Sequence, residues 1–157
     1  MEKYDNANKA EWAAASGMKE SRGDYDKSDS AGKFKLYNAG DLETNFIFRI
    51  AFGIDSDTIP ASSITLGENF LSWDLIKPKG NDSGVYIDSK LNLIYGYIKS
   101  TEGNNTIFTK TDNVYNEYFT DGAFFKIPKG ESTLIVGNKL EKWFSSGLQI
   151  VYDYLYF

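Results

Sequence analysis

The chain has 157 residues, with 17 basic and 22 acidic side chains for a net charge of −5, and contains neither His nor Cys. That absence removes thiol nucleophiles, Ser-His-Asp arrangements, disulfides and the usual zinc, iron and copper ligands, so any catalysis would rest on carboxylates, Lys or Tyr. Lys and Arg are scattered without a basic stripe to neutralise phosphates, and no apolar run approaches the roughly 18 residues of a membrane span, which argues against nucleic-acid binding and a spanning helix.

The length suits one domain with a core of its own. Aromatic residues make up 16% of the chain, including 11 Tyr and 11 Phe, a composition that favours pleated, half-buried surfaces. The opening "MEKYDNANKAEW" lacks the apolar core of a signal peptide, so the expectation is a soluble chain not exported by that route. Residues 1–32 read as a polar N-terminal segment. Within it, "NKAEWAAAS" predicts a short helix over about 8–16, with Asn8 as cap, Glu11 completing a capping box and Gly17 as the stop. Trp12 is its docking residue, against the body or a neighbouring subunit. "SRGDYDKSDSAGK" then reads as a flexible connector.

From Phe34 the period becomes two, and residues 33–157 read as a β-sandwich domain. "NAGDLETN" is a turn, with Asn38 and Gly40 supplying its geometry, a positive φ at the glycine included. In "NFIFRIAF" Phe46, Phe48, Ile50 and Phe52 share one face, and Ile47, Arg49 and Ala51 the other. "SSITLGE" and "FLSWDLIK" follow, the second aligning Leu71, Trp73 and Leu75. "GNDSG" turns the chain into "VYIDS". "LNLIYGYIK" sets Leu91, Leu93, Tyr95 and Tyr97 against Ile94 and Ile98, with Gly96 as a bulge. "EGNN" is a further turn, "TIFTK" and "VYNEYF" are weaker strands, and "AFFKIP" and "STLIVG" flank the turn "KGE". "NKLEKWFSSG" reads as a loop or short helix. "LQIVYDYLYF" closes the chain with Leu148, Ile150, Tyr152, Tyr154 and Tyr156 on one side. About ten short strands with Gly/Asn/Asp turns predict an all-β fold, an antiparallel β-sandwich of jelly-roll or galectin-like type.

The acids carry less chemistry than their number suggests. Asp55 and Asp57 have calcium-like spacing without completing an EF-hand, and read as loop punctuation. Asp24, Asp26 and Asp29 fall in the flexible connector. Asp41 and Glu43 read as turn residues. A glycosidase would need two carboxylates flanking a sugar ring; Asp74 and Asp88 are the best pair, yet both fall opposite the local apolar set, where a solvated acid needs no special reason. No catalytic residue, metal ligand or cofactor site is therefore expected.

Binding residues are easier to nominate. Sandwich lectins stack sugars on exposed aromatic rings beside polar side chains. Trp73 aligns with Leu71 and Leu75 and reads as core, which leaves Trp143, with Phe144 beside it, as the free aromatic pair. The closing "VYDYLYF" is aromatic or apolar except at Asp153. Both of its faces want cover, from the domain or from a partner subunit against Tyr154 and Tyr156.

The layout "NAGDLETNFIFRI", "YIDSKLNLIYG", "FFKIPKGESTLIV" and "QIVYDYLYF" resembles the C-terminal sandwich of phage distal tail proteins and related tail components, over residues from about 33 to 157. The shared features are an Asn-Pro-Gly-Asp-like turn, a central Asp-Ser/Thr strand and a late Pro-x-Gly-x-Asn turn. Ala39 stands where that family has Pro, and Ser132 where it has Asn. About thirty polar residues stand in place of the family's ring-forming N-terminal domain, as in a fragment, a separately encoded domain or another accessory reusing the sandwich. The resemblance implies a galectin-like β-sandwich, a virion structural protein of the tail baseplate, assembled in the host cytoplasm and not an enzyme. Its implied partners are other tail or baseplate proteins and further copies of itself. The alternative function is a carbohydrate-binding module that takes a cell-surface glycan.

Overall fold

The strand from Lys33 to Asn38 alternates exposed and buried residues at every step, as a half-buried strand must when successive side chains point to opposite faces. It is β2 of eleven strands in the computed structural model, which describes residues 2–3, 31–144 and 147–152. The others are β1 (Glu2–Lys3), β3 (Phe46–Ala51), β4 (Ser62–Leu66), β5 (Asn69–Trp73), β6 (Gly84–Asp88), β7 (Leu93–Glu102), β8 (Asn105–Val114), β9 (Phe119–Gly122), β10 (Gly130–Val136) and β11 (Leu148–Tyr152). Two short 3-10 helices, η1 (Asn116–Tyr118) and η2 (Asn138–Trp143), complete the described elements.

The strands form two antiparallel sheets, ordered β1-β8-β7-β6-β3-β11 and β2-β10-β4-β5-β9. They face each other as a β-sandwich, the predicted fold class. Phe34 of β2 meets Phe48 of β3 edge to face at 5.6 Å between ring centres. Trp73 is buried, as its alignment with Leu71 predicts, and its indole N–H donates to the Pro60 carbonyl at 3.0 Å. Such a bond removes the cost of burying the ring's one polar group. Leu75, expected in the same row, lies beyond the end of β5 and is exposed.

The centre of the first sheet, β3, β6 and β11, is buried on both faces. Ile47 and Val151 face away from the second sheet, yet are as inaccessible as Phe46, Phe48 and Ile150, and Arg49 beside them is nearly so. Tyr86 lies on the same outward face, stacked on Tyr97 at 4.8 Å and edge-on to Tyr95 at 5.3 Å. Each such pair is worth about 0.5–1.5 kcal/mol beyond its area.

Several boundaries differ from the sequence reading. "TIFTK" is the start of a ten-residue β8 reaching Val114, and "VYNEYF" divides between the end of β8, η1 and the start of β9. The reason is pairing: β8 lies antiparallel along a ten-residue β7, which draws the whole of 105–114 into the ladder. "AFFKIP" is irregular apart from a single bridge between Ile127 and Thr44. Gly96 does mark a bulge, for the β7–β8 register shifts between Tyr95 and Tyr97. Gly40 does not take a positive φ. The turn is organised instead by Asn38, whose amide donates to the Leu42 carbonyl at 2.9 Å and whose side-chain oxygen accepts the Gly40 N–H at 3.0 Å.

Of the polar N-terminal segment, residues 2–3 pair as β1 with Phe108 and Ile107 of β8. The helix expected over 8–16, the connector acids Asp24, Asp26 and Asp29, and the closing residues 153–157 lie outside the described residues.

Candidate functional site

Of the five residues nominated for binding, Trp12, Tyr154 and Tyr156 lie outside the described residues. Trp143 corrects its prediction: it is 1% exposed. Its indole N–H donates to the Ala51 carbonyl at 2.7 Å, and Gly147 packs so closely on the ring that a side chain there would collide with it. The η2 segment folds its Trp inward because the ring fills the end of the core between β3 and the approach to β11. Phe144 is half-buried, and its ring covers Gly32 where any other residue would carry a Cβ. The pair therefore holds the chain's crossing between sheets and presents no free stacking platform.

The acids resolve similarly. Asp88, expected in solvent, is fully buried and accepts the Tyr95 hydroxyl at 2.9 Å and the N–H groups of Lys90 and Leu91 at 3.0 and 3.1 Å. It caps the β6–β7 turn. Asp74 lies past the end of β5 in the other sheet, exposed, accepting the Leu75 N–H at 2.8 Å. Asp55 accepts Lys142 Nζ at 2.7 Å, which holds that ammonium above its ordinary pKa. Glu43 lies 3.9 Å from Lys126 on the surface. Among the described residues no group of three His, Cys, Asp or Glu could hold a metal, and no helix is long and apolar enough to cross a membrane.

The structure assembles a different surface. An open cleft of about 650 Å³ lies where β3, β7 and β8 meet the loops 52–57 and 78–83. Arg49, Tyr97, Phe108, Lys99, Asp57 and Asn81 are among its lining residues. The Arg49 guanidinium lies over the Phe108 ring, 4.0 Å from its centre, and 5.9 Å from that of Tyr97, a cation–π arrangement that fixes the long side chain. Burial pushes the Tyr97 hydroxyl up to about 12, with the positive charge of Arg49 pulling the other way.

Asp82 anchors one wall of this cleft. One of its oxygens accepts the Tyr115 hydroxyl at 2.6 Å and the Asn113 amide at 3.0 Å. Tyr115 in turn accepts the Lys79 N–H at 2.8 Å, and the Lys79 ammonium pairs with Glu117. Burial, and then the bond to Asp82, push the Tyr115 hydroxyl well above the ordinary tyrosine range. The network ties the 78–83 loop to the end of β8.

From this cleft the β7–β8 hairpin continues as an arm. β6 pairs with β7 only as far as Tyr97, opposite Gly84, while β7 and β8 go on pairing to Glu102 and Asn105. A two-residue turn closes the tip, with Gly103 at φ +61°, the glycine-first pattern that suits the twist of a hairpin. Beyond Tyr97 every residue of β7 is exposed. Ile98 points toward the second sheet's side yet is 37% exposed, since the arm has outrun that sheet. The sequence held the signal: "KSTEGNNT" is polar on both faces of its period-two pattern, so the tip of the hairpin has no core side, whereas Ile107 and Phe108, opposite Ser100 and Lys99 at its base, are buried where β1 pairs on β8.

Comparisons with protein-family models, with curated proteins and with solved structures found no match.

Proposed function

We propose that this chain is a structural and interaction module of a phage or prophage tail baseplate, working by surface contact and not by catalysis. The layout of turns and strands that resembles distal tail sandwiches supports this reading. The observation that carries it is the β7–β8 arm, whose tip leaves the sandwich with polar side chains and whose β7 edge is unpaired among the described residues. Past Ile107 and Phe108, where β1 pairs on β8, the tip is a two-stranded ribbon of a kind marginal in water on its own, and the unpaired β7 edge is a template for another strand. An arm of this kind gains its stability from a neighbour. The chain belongs on this reading to the virion, beside other tail or baseplate proteins.

The test is co-purification of the full chain with the products of neighbouring tail genes, with Thr101→Pro alongside. Retention by the wild type and loss on substitution are expected. A chain that stays monomeric at high concentration by light scattering and retains no tail protein would overturn the reading.

A second reading, a carbohydrate-binding module, is favoured by the cleft at the base of the arm, lined by the polar side chains of Asn81, Asp57 and Lys99 beside the buried rings of Tyr97 and Phe108. A concave site with a few convergent polar groups suits a small polar ligand such as a sugar. A glycan-array signal abolished by Asn81→Ala and Asp57→Ala, in chains that melt like the wild type, would favour it. A flat array would count against it.

A further inference from the structure

We propose that the arm pairs with a second copy of this chain, edge to edge, about a two-fold axis through Thr101. This rests on reading the chain as an interaction module, and it names the partner.

The backbone directions along β7 are fixed by hydrogen bonds on both sides. The Tyr97 carbonyl accepts the Ser83 N–H at 2.6 Å, and the Lys99 N–H donates to Ser83 Oγ at 2.9 Å. Residues 97 and 99 therefore direct their backbone groups toward the β6 side of the ribbon. Backbone groups alternate along a strand, so Thr101 directs its N–H and C=O the same way, while Ser100 and Glu102 face β8. Among the described residues nothing pairs with Thr101 from that side. The free edge thus offers the Lys99 carbonyl and both backbone groups of Thr101.

A set this short fits its own copy well. With two edges antiparallel and Thr101 opposite Thr101, each N–H meets the other's carbonyl, and the free donor and acceptor of one residue are satisfied reciprocally. The register then places Lys99 opposite Gly103 and Ser100 opposite Glu102, so no like charges lie directly opposite. Thr facing Thr is among the favourable cross-strand pairs. Ile98, exposed on the arm, falls opposite residue 104 at the tip of the other copy and gains cover. A longer foreign strand would run past the turn at Gly103 and leave most of its groups unpaired.

The test uses Thr101→Cys in the full chain, which has no other cysteine. Opposed residues of a bonded antiparallel pair have Cα atoms about 5.5 Å apart, within disulfide range. Mild oxidation is expected to give a covalent dimer at least ten times faster than Asp112→Cys, an exposed control on β8 away from the arm. The wild type should show a concentration-dependent dimer by light scattering. Thr101→Pro should weaken that dimer at least tenfold, because it removes the edge N–H and leaves the bonds to β8 intact. A wild type that stays monomeric, or cross-linking no faster than the control, would overturn the self-pairing. If Thr101→Pro nevertheless lost neighbouring tail proteins, the interaction reading would stand without it; if it retained them, the arm would be excluded from both.

Discussion

The Tyr152 hydroxyl accepts the Tyr37 N–H at 3.1 Å and donates back to the Tyr37 carbonyl at 3.3 Å, joining the edge strand of one sheet to the edge strand of the other. β2 thereby has two outward-facing backbone groups satisfied by a side chain. An open edge is an aggregation hazard, so this contact protects as well as stabilises. Tyr152→Phe is expected to cost about 1–3 kcal/mol, the range for a lost hydrogen bond that strands its partners. For a chain of this length each kcal/mol lowers Tm by about 2–4 °C. Urea denaturation should show a lower midpoint with an unchanged slope. An unmoved midpoint would mean that water replaces the hydroxyl without loss.

Trp143 fills the end of the core, and its removal should be felt as unfolding. Trp143→Ala is expected to cost about 3–5 kcal/mol through the cavity it leaves. Trp143→Phe keeps much of the ring and loses the bond to Ala51, for about 1–3 kcal/mol. Near-ultraviolet circular dichroism and denaturation midpoints separate the two. A ligand-binding defect in Trp143→Ala would report this loss of packing, and a Trp143→Ala chain as stable as the wild type would contradict the burial.

The contrast between Trp73 and Trp143 shows how far the pattern could be read. Trp73 lies in a period-two row with Leu71, so its burial follows from local sequence alone. Trp143 lies in irregular sequence, and its inward turn depends on Ala51, ninety-two positions away. Asp88 misleads for the same reason: alternation places it opposite the apolar row, but that face of the sheet is buried too. The strands of the sandwich were legible because one face of each repeats with a fixed period. The cleft was not, because Arg49, Asn81, Lys99 and Phe108 come from separate elements that only the strand order brings together.

Gly96 offers a test of the network behind the cleft. A Cβ there would run into the Asp82 carboxylate, with Thr111 Oγ1 2.7 Å away. Asp82 cannot retreat without giving up the bonds from Tyr115 and Asn113. Gly96→Ala is expected to cost about 1–3 kcal/mol by overpacking. Asp82→Ala should also destabilise, but the double variant should lose less than the two separate losses added together, because the closest clash goes with the carboxylate and leaves the one with Thr111 Oγ1. Strict additivity in a denaturation cycle would refute the contact.

Tyr97 makes stability depend on alkaline pH in a definite direction. Its hydroxyl is pushed up to about 12, chiefly by burial, against the opposing charge of Arg49. An unfolded tyrosine ionises near 10, so the fold favours the protonated phenol. The stabilisation is fully present below about pH 10 and is lost as pH rises through 12, with a slope approaching 1.4 kcal/mol per pH unit and a total of about 3 kcal/mol. Tyr115, raised by burial and by its bond to Asp82, acts in the same direction. Denaturation midpoints at pH 9, 10.5 and 12 should fall progressively, and tyrosinate absorbance should show phenols that ionise only as the chain unfolds. Tyr97→Phe should flatten the decline between 10 and 12 by up to one proton. A decline as steep in Tyr97→Phe as in the wild type would mean that the buried phenol is not what the alkaline limb reports.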